Sequence, residues 1–150
     1  MSIIRLTKIF HFEMAHALNG YDGLCRNIHG HSYELRVTVK GCPLDDASSP
    51  KNGMVMDFGD LKRIVNEQIV DRFDHVLVLW NHASLDLIAL LERDFEKVHV
   101  VEYQPTSERL IADFAARLQQ ALPPPVKLHS ILLQETPGSF AEWFAEDNGQ

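Results

Sequence analysis

The stretch His29–Gly41, HGHSYELRVTVKG, alternates without a break. His29, His31, Tyr33, Leu35, Val37 and Val39 share one parity; Ser32, Glu34, Arg36, Thr38 and Lys40 share the other. A period of two sustained this long marks a half-buried strand with one face on a core and one in water. Residues 4–15 repeat the pattern. Leu6, Phe10, Phe12 and Met14 lie on one side, with Lys8 the exception, and Arg5, Thr7, His11 and Glu13 on the other. Two such strands predict an antiparallel pair, against whose apolar face the remaining elements pack.

Those elements can be read in turn. A short strand is expected at 54–57, after a Pro/Ser/Asn-rich hairpin loop at 43–53. A helix follows at 59–73, with Leu61, Ile64, Val65, Ile69 and Phe73 at helical spacing and Asp57 and Asp60 near its start, where negative charge is favoured. A second helical piece is expected at 85–95 and a strand at 98–103. Thr106 or Ser107 caps the next helix, whose face carries Leu110, Ile111, Phe114, Ala115 and Leu118. Three prolines, Pro123 to Pro125, separate it from a last strand at 126–136. This order predicts an α+β fold, an antiparallel sheet with helices on one face. Its edge strands suggest that the sheet continues across a subunit boundary. The chain of 150 residues is read as one domain, 1–150.

Charge and hydropathy narrow the partners. A net charge of −7 argues against a general nucleic-acid binder, though not against a local basic pocket for a phosphorylated small molecule. No apolar run approaches the roughly 18–20 residues of a membrane span. The N-terminus lacks a signal-peptide pattern, and two cysteines, Cys25 and Cys42, make no disulfide framework. A cytoplasmic protein is expected.

His29 and His31 sit two apart on a strand, so both imidazoles point the same way. His16, at the end of the first strand, supplies a third ligand if the two strands pair. Three histidines with one open position make a catalytic metal arrangement; zinc is the default, and iron, nickel or copper also accept it. Near such a cation the Cys25 thiol could serve as base or nucleophile, or close the site as a fourth ligand. Gly23, His29, His31, Glu34 and Gly41 nearly trace a cupin motif. A regular strand would turn Glu34 away from the histidines, however, and the second cupin motif is missing. His11, His82, His99 and His129 show no ligand spacing. Asp74-His75 can form an orienting pair, Glu108 falls in a first helical turn, and Glu135 ends a strand in an apolar context.

Together these motifs resemble the 6-pyruvoyltetrahydropterin synthase family, which includes the bacterial 6-carboxytetrahydropterin synthases. They run in the family's order: FEMAH at 12–16, C-x3-HGHSY at 25–33, MDFGDLK at 56–62, DH at 74–75, PTSE at 105–108 and QET at 134–136. The resemblance implies the tunnelling fold, or T-fold. A four-stranded antiparallel sheet from each subunit joins its neighbours into a barrel, and two trimers stack into a hexamer. It implies that His16, His29 and His31 hold zinc and that Cys25 is the proton-abstracting base. Asp74 and His75, from a neighbouring subunit, form a relay. Glu135 anchors the pterin, with Thr106 and Glu108 assisting. The implied substrate is 7,8-dihydroneopterin triphosphate. Three residues separate Cys25 from His29, a spacing like that of the carboxy-forming enzymes; the alternatives are the pyruvoyl product and a non-catalytic metal- or pterin-binding module. Arg26 is a candidate for the triphosphate. The sequence departs from the family pattern after DH, where the nearest Asn is Asn81 and the segment 82–98 is longer than expected.

Overall fold

In the computed structural model, which describes residues 1–149, six strands form one mixed sheet in the order β4-β3-β1-β2-β5-β6. The two long strands are β1 (Ile4–His16) and β2 (His29–Gly41), paired antiparallel along their whole length from Ile4↔Gly41 to His16↔His29. β5 (Lys127–Thr136) pairs antiparallel with β2, and β6 (Ser139–Phe144) with β5. Four antiparallel strands match the number the resemblance implies, with β1, β2 and β5 at expected positions and β6 not expected from sequence. Two further strands, β3 (Val76–Trp80) and β4 (Val98–Val101), extend it in parallel from the end of β1, through Met14, Ala15 and His16.

The alternation of β1 and β2 has its expected consequence. Phe12, Met14, Tyr33, Leu35, Val37 and Val39 are buried, while Thr7, Ile9, His11, Ser32 and Arg36 face outward. Helix α1 (Phe58–Val65) starts at Asp57, whose carboxylate accepts the Gly59 N–H at 2.7 Å and also pairs with Lys51. A π-helical turn at Asn66–Val70 leads into α2 (Asp71–Phe73). Helix α4 (Ser107–Ala121), which follows α3 (Leu85–Asp94), buries Leu110, Ile111, Phe114, Ala115 and Leu118. Phe114 meets Phe73 edge-on at 4.9 Å and Phe12 at 6.3 Å, and Phe12 stacks on Tyr33 at 5.2 Å. This aromatic column ties the helical layer to the strands that carry the histidines.

Several sequence expectations need correction. The sheet has six strands and is mixed, because the run VLVLW at 76–80 and the segment 139–144 are strands. Residues 54–57 form no strand, with bends at Val55 and Met56. The helices do not all share one face. Val76 and Val78 join the main core, while Leu79, of the other parity, is buried outside it, as is Ile88 of α3. Helix α3 therefore covers the opposite face, where Leu91 and Phe95 overhang Glu13, Ala15, Gly30 and Ser32. The segment 82–98 is the connection that carries α3 across. Among the described residues three strand edges stay open: the outer edges of β4 and β6, and β1 upstream of its short pairing with β3.

Candidate functional site

The β1–β2 register builds the histidine cluster. His16 stands directly opposite His29, and His31 lies one step along β2 on the same face, opposite Met14. Their ring nitrogens fall within 4.8 Å of one another. His16 is buried, and its Nδ1–H donates to the Pro105 carbonyl at 2.7 Å. The Nδ1–H of His29 donates to the Asn27 carbonyl, also at 2.7 Å. A carbonyl only accepts, so both rings are held as Nδ1–H tautomers with a bare lone pair on Nε2. Those two Nε2 atoms face each other at 3.1 Å. Two lone pairs at that separation repel unless a cation lies between them. Three imidazoles around zinc at about 2.0–2.1 Å would sit roughly 3.3 Å apart. Burial pushes the pKa of His16 and of His31 below the ordinary value, toward the neutral form a metal needs; the Pro105 carbonyl and the Glu135 carboxylate oppose this only in part. The donor set fits a metal ion.

Glu135 reaches the same cluster from β5. Pairing between β5 and β6 skips it, with Gln134 opposite Phe140 and Thr136 opposite Ser139, a bulge beside the site. Its Oε1 lies 3.3 Å from His31 Nε2, without the alignment of a hydrogen bond, and its Oε2 accepts from the Ser107 hydroxyl. The Tyr33 hydroxyl is buried beneath this group; burial, reinforced by the Glu135 carboxylate, holds its pKa far above the ordinary phenol value.

A cavity of about 370 Å³ opens over the cluster. Its walls include His16, Cys25, Thr106, Glu108 and Glu135, so five sequence-derived candidates meet here. Cys25 sits half-buried in a 3-10 turn (Leu24–Arg26) and is not one of the clustered metal-binding groups. Thr106 caps α4 by accepting the Arg109 N–H at 3.3 Å, and Glu108 lies exposed in the first turn. Arg26 is exposed. Glu34 pairs with Arg36 at 2.7 Å and His11 at 3.2 Å on the far face, which removes the cupin arrangement. Leu18, Tyr21 and Phe140 also line the cavity and nothing in their spacing marks them; Ser107, which lines it too, entered the sequence reading as a helix-cap candidate and not as a site residue.

Asp74 and His75 are elsewhere. His75 lines a separate groove of about 680 Å³ beneath α3. Its φ of 59° lies in the left-handed region that side chains rarely adopt, and its N–H donates to the Glu13 carbonyl at 2.6 Å. Asp74 accepts the Glu13 N–H at 2.9 Å through Oδ1 and contacts His75 Nδ1 at 2.9 Å through Oδ2. Burial raises the Asp74 pKa, but the Glu13 N–H and His75 outweigh it, and the carboxylate is held below its ordinary value. The imidazole itself projects outward, 71% exposed.

The profile of the 6-pyruvoyl tetrahydropterin synthase family matches residues 5–146. The chain belongs to that family. It is 36% identical over 143 residues to a Haemophilus influenzae protein named 6-carboxy-5,6,7,8-tetrahydropterin synthase, covering 94% of this chain and 99% of the relative. A Synechocystis protein of the same name is 36% identical, with 92% and 91% covered. Among solved structures, a Caenorhabditis elegans 6-pyruvoyl tetrahydropterin synthase superposes with a TM-score of 0.68 at 24% identity, covering 97% of each chain. An uncharacterised Wolinella succinogenes protein reaches a TM-score of 0.70 at 21% identity, covering 97% of this chain and 99% of that one. These superpositions establish the T-fold subunit for this chain. Among the described residues, no helix is long and apolar enough to cross a membrane.

Proposed function

We propose that this chain is a zinc-dependent 6-carboxy-5,6,7,8-tetrahydropterin synthase. It converts 7,8-dihydroneopterin triphosphate and one water to 6-carboxytetrahydropterin, acetaldehyde and triphosphate, in the cytoplasm, on the route to 7-deazaguanines such as queuosine. The observation that carries the reading is the pair of facing Nε2 lone pairs of His16 and His29, with His16 in the wall of a cavity that also holds a free thiol and a carboxylate. The full-length likeness to relatives with that name favours the carboxy product over the pyruvoyl one, and the substrate is the one the family resemblance implies.

In this reading His16, His29 and His31 hold the metal. Zinc bound there supplies a Lewis acid that polarises the oxygens of the substrate's side chain and acidifies the adjacent C–H. Glu135 accepts the two parallel N–H groups on the pterin edge, a charge-assisted pairing that fixes the ring. The Ser107 hydroxyl on Oε2 and the bulge in β5 aim that carboxylate. Thr106 and Glu108 border the ring at the start of α4. Cys25 removes the side-chain proton as thiolate and stays outside the coordination shell so that it can do so. Asp74 holds His75 by Nδ1, which leaves Nε2 free to exchange protons with the Cys25 of a neighbouring subunit. The open β1 and β6 edges favour closure of the sheet around a trimer, and two trimers would form a hexamer.

The test is product analysis by mass spectrometry on the zinc-loaded protein given 7,8-dihydroneopterin triphosphate. Acetaldehyde together with 6-carboxytetrahydropterin is the expected result. A pyruvoyl product without acetaldehyde would move the chain to the other branch of the family. Absence of turnover with zinc bound would overturn the enzyme reading in favour of a binding module.

A further inference from the structure

Cys25 is carried by the loop 17–28, which has little apolar anchorage. No residue of its 3-10 turn is buried, Leu24 is 88% exposed and Tyr21 47%. Segments with so few buried contacts open at low cost unless polar contacts hold them. Here the polar contacts converge on one side chain. The carboxamide of Gln104 accepts the Asn19 N–H through Oε1 at 3.0 Å and donates from Nε2 to the Asn19 carbonyl at 2.8 Å. It thus satisfies both backbone groups of one residue, as a neighbouring strand would. The Asn19 amide adds a bond to the His82 carbonyl at 3.1 Å, and Leu18 N–H donates to the Cys25 carbonyl at 3.0 Å, closing the loop on its cysteine. Tyr21 folds back over Gly23, where a Cβ would strike its ring.

The position of Gln104 in the chain gives the clamp its meaning. The next residue, Pro105, accepts the Nδ1–H of His16, and the one after, Thr106, caps α4 at the cavity wall. One tripeptide therefore ties the thiol loop, a metal-binding histidine and the helix start to a common frame. We infer that Gln104 is a positioning residue, one that holds the Cys25 loop in register with the histidine cluster. The inference rests on the reading of Cys25 as the base. It also explains the side-chain type: the position must donate and accept together, and reach past the backbone to do so. Met has the length and neither function. Glu keeps the acceptor and sets a carboxylate against the Asn19 carbonyl.

The test compares wild type with Gln104→Met and Gln104→Glu in the zinc-loaded protein. Zinc stoichiometry and the melting temperature check that the site and fold survive. Peptide-resolved alkylation by iodoacetamide reports Cys25, with the exposed Cys42 as internal control, and amide exchange reports Asn19 and Leu18. With the clamp gone, Cys25 alkylation and Asn19 exchange should each rise about tenfold at unchanged zinc content. The kcat should fall more than KM rises. Unchanged exchange and alkylation in both variants would overturn the inference, whatever the activity. If both rise while wild-type turnover proves independent of Cys25, the clamp stands and the role of the thiol falls.

Discussion

His129 is a buried histidine with no part in the metal cluster, and its Nδ1 has no hydrogen-bond partner among the described residues. Burial lowers its pKa from the ordinary 6.5; the nearby Arg5 and Lys40 charges add to this, and Glu146 opposes them. A histidine whose pKa is lower in the folded state takes up protons preferentially on unfolding. Its contribution is complete above pH 6.5 and is lost as pH falls toward the folded value. The carboxylates held below their ordinary values, such as Asp74 with its reference of 3.8, act only in a more acid window. The melting temperature of metal-free protein should therefore be flat above about pH 7 and drop between about pH 6.5 and 5, and His129→Gln should flatten that drop. An unaltered slope in the variant would assign the effect to His16, His31 and His99, whose pKa values burial also lowers. At this scale the sequence was informative where chemistry repeats with structural period. His29 and His31 were legible because a strand puts i and i+2 on one face. Gln104, Ser107 and the Pro105 carbonyl were not, since their roles exist only through contacts distant in sequence.

The β3–α3–β4 excursion crosses the sheet and covers its second face. It buries Leu79 and Ile88 apart from the main core. Ile88→Ala should cost about 2 kcal/mol in denaturant unfolding, toward the lower end for such truncations because 9% of the side chain's surface is already open. Zinc stoichiometry should not change, because among the described residues the hydrogen bonds, ion pairs and ring contacts of the cluster histidines involve no residue of α3. A coupled loss of metal would mean that β3, through its pairing with Met14–His16, transmits the damage to the cluster. The legibility of elements followed their amphipathicity. β1, β2 and α4 carried clear periods. β3 is a short apolar run buried on both faces, which periodicity cannot separate from a helix segment or a loop. β6 is short and half exposed, and it is a strand mainly because β5 offers it a free edge.

For the whole molecule, the decisive fact is that one chain does not assemble the proposed machinery. Cys25 lines the cavity over the histidines, whereas the strained, exposed His75 lines the groove beneath α3. The sheet also ends on two open edges, the liability that ring closure removes. The sequence suggested open edges but could not show which residues stay apart within a subunit, because that depends on the register of β1 with β3. If thiol and imidazole meet across a subunit boundary, Cys25→Ala and His75→Ala should each be inactive as pure assemblies. Unfolded together and reassembled in equal amounts, they should recover activity, since a boundary that takes Cys25 from one variant and His75 from the other is intact. Random mixing makes roughly a quarter of boundaries intact, so recovery should approach a quarter of the wild-type rate. Recovery should vanish when the two variants are mixed without subunit exchange. Failure to recover, in assemblies shown by mass to contain both chains, would place thiol and imidazole in one subunit and require the loop 17–28 to move toward β3.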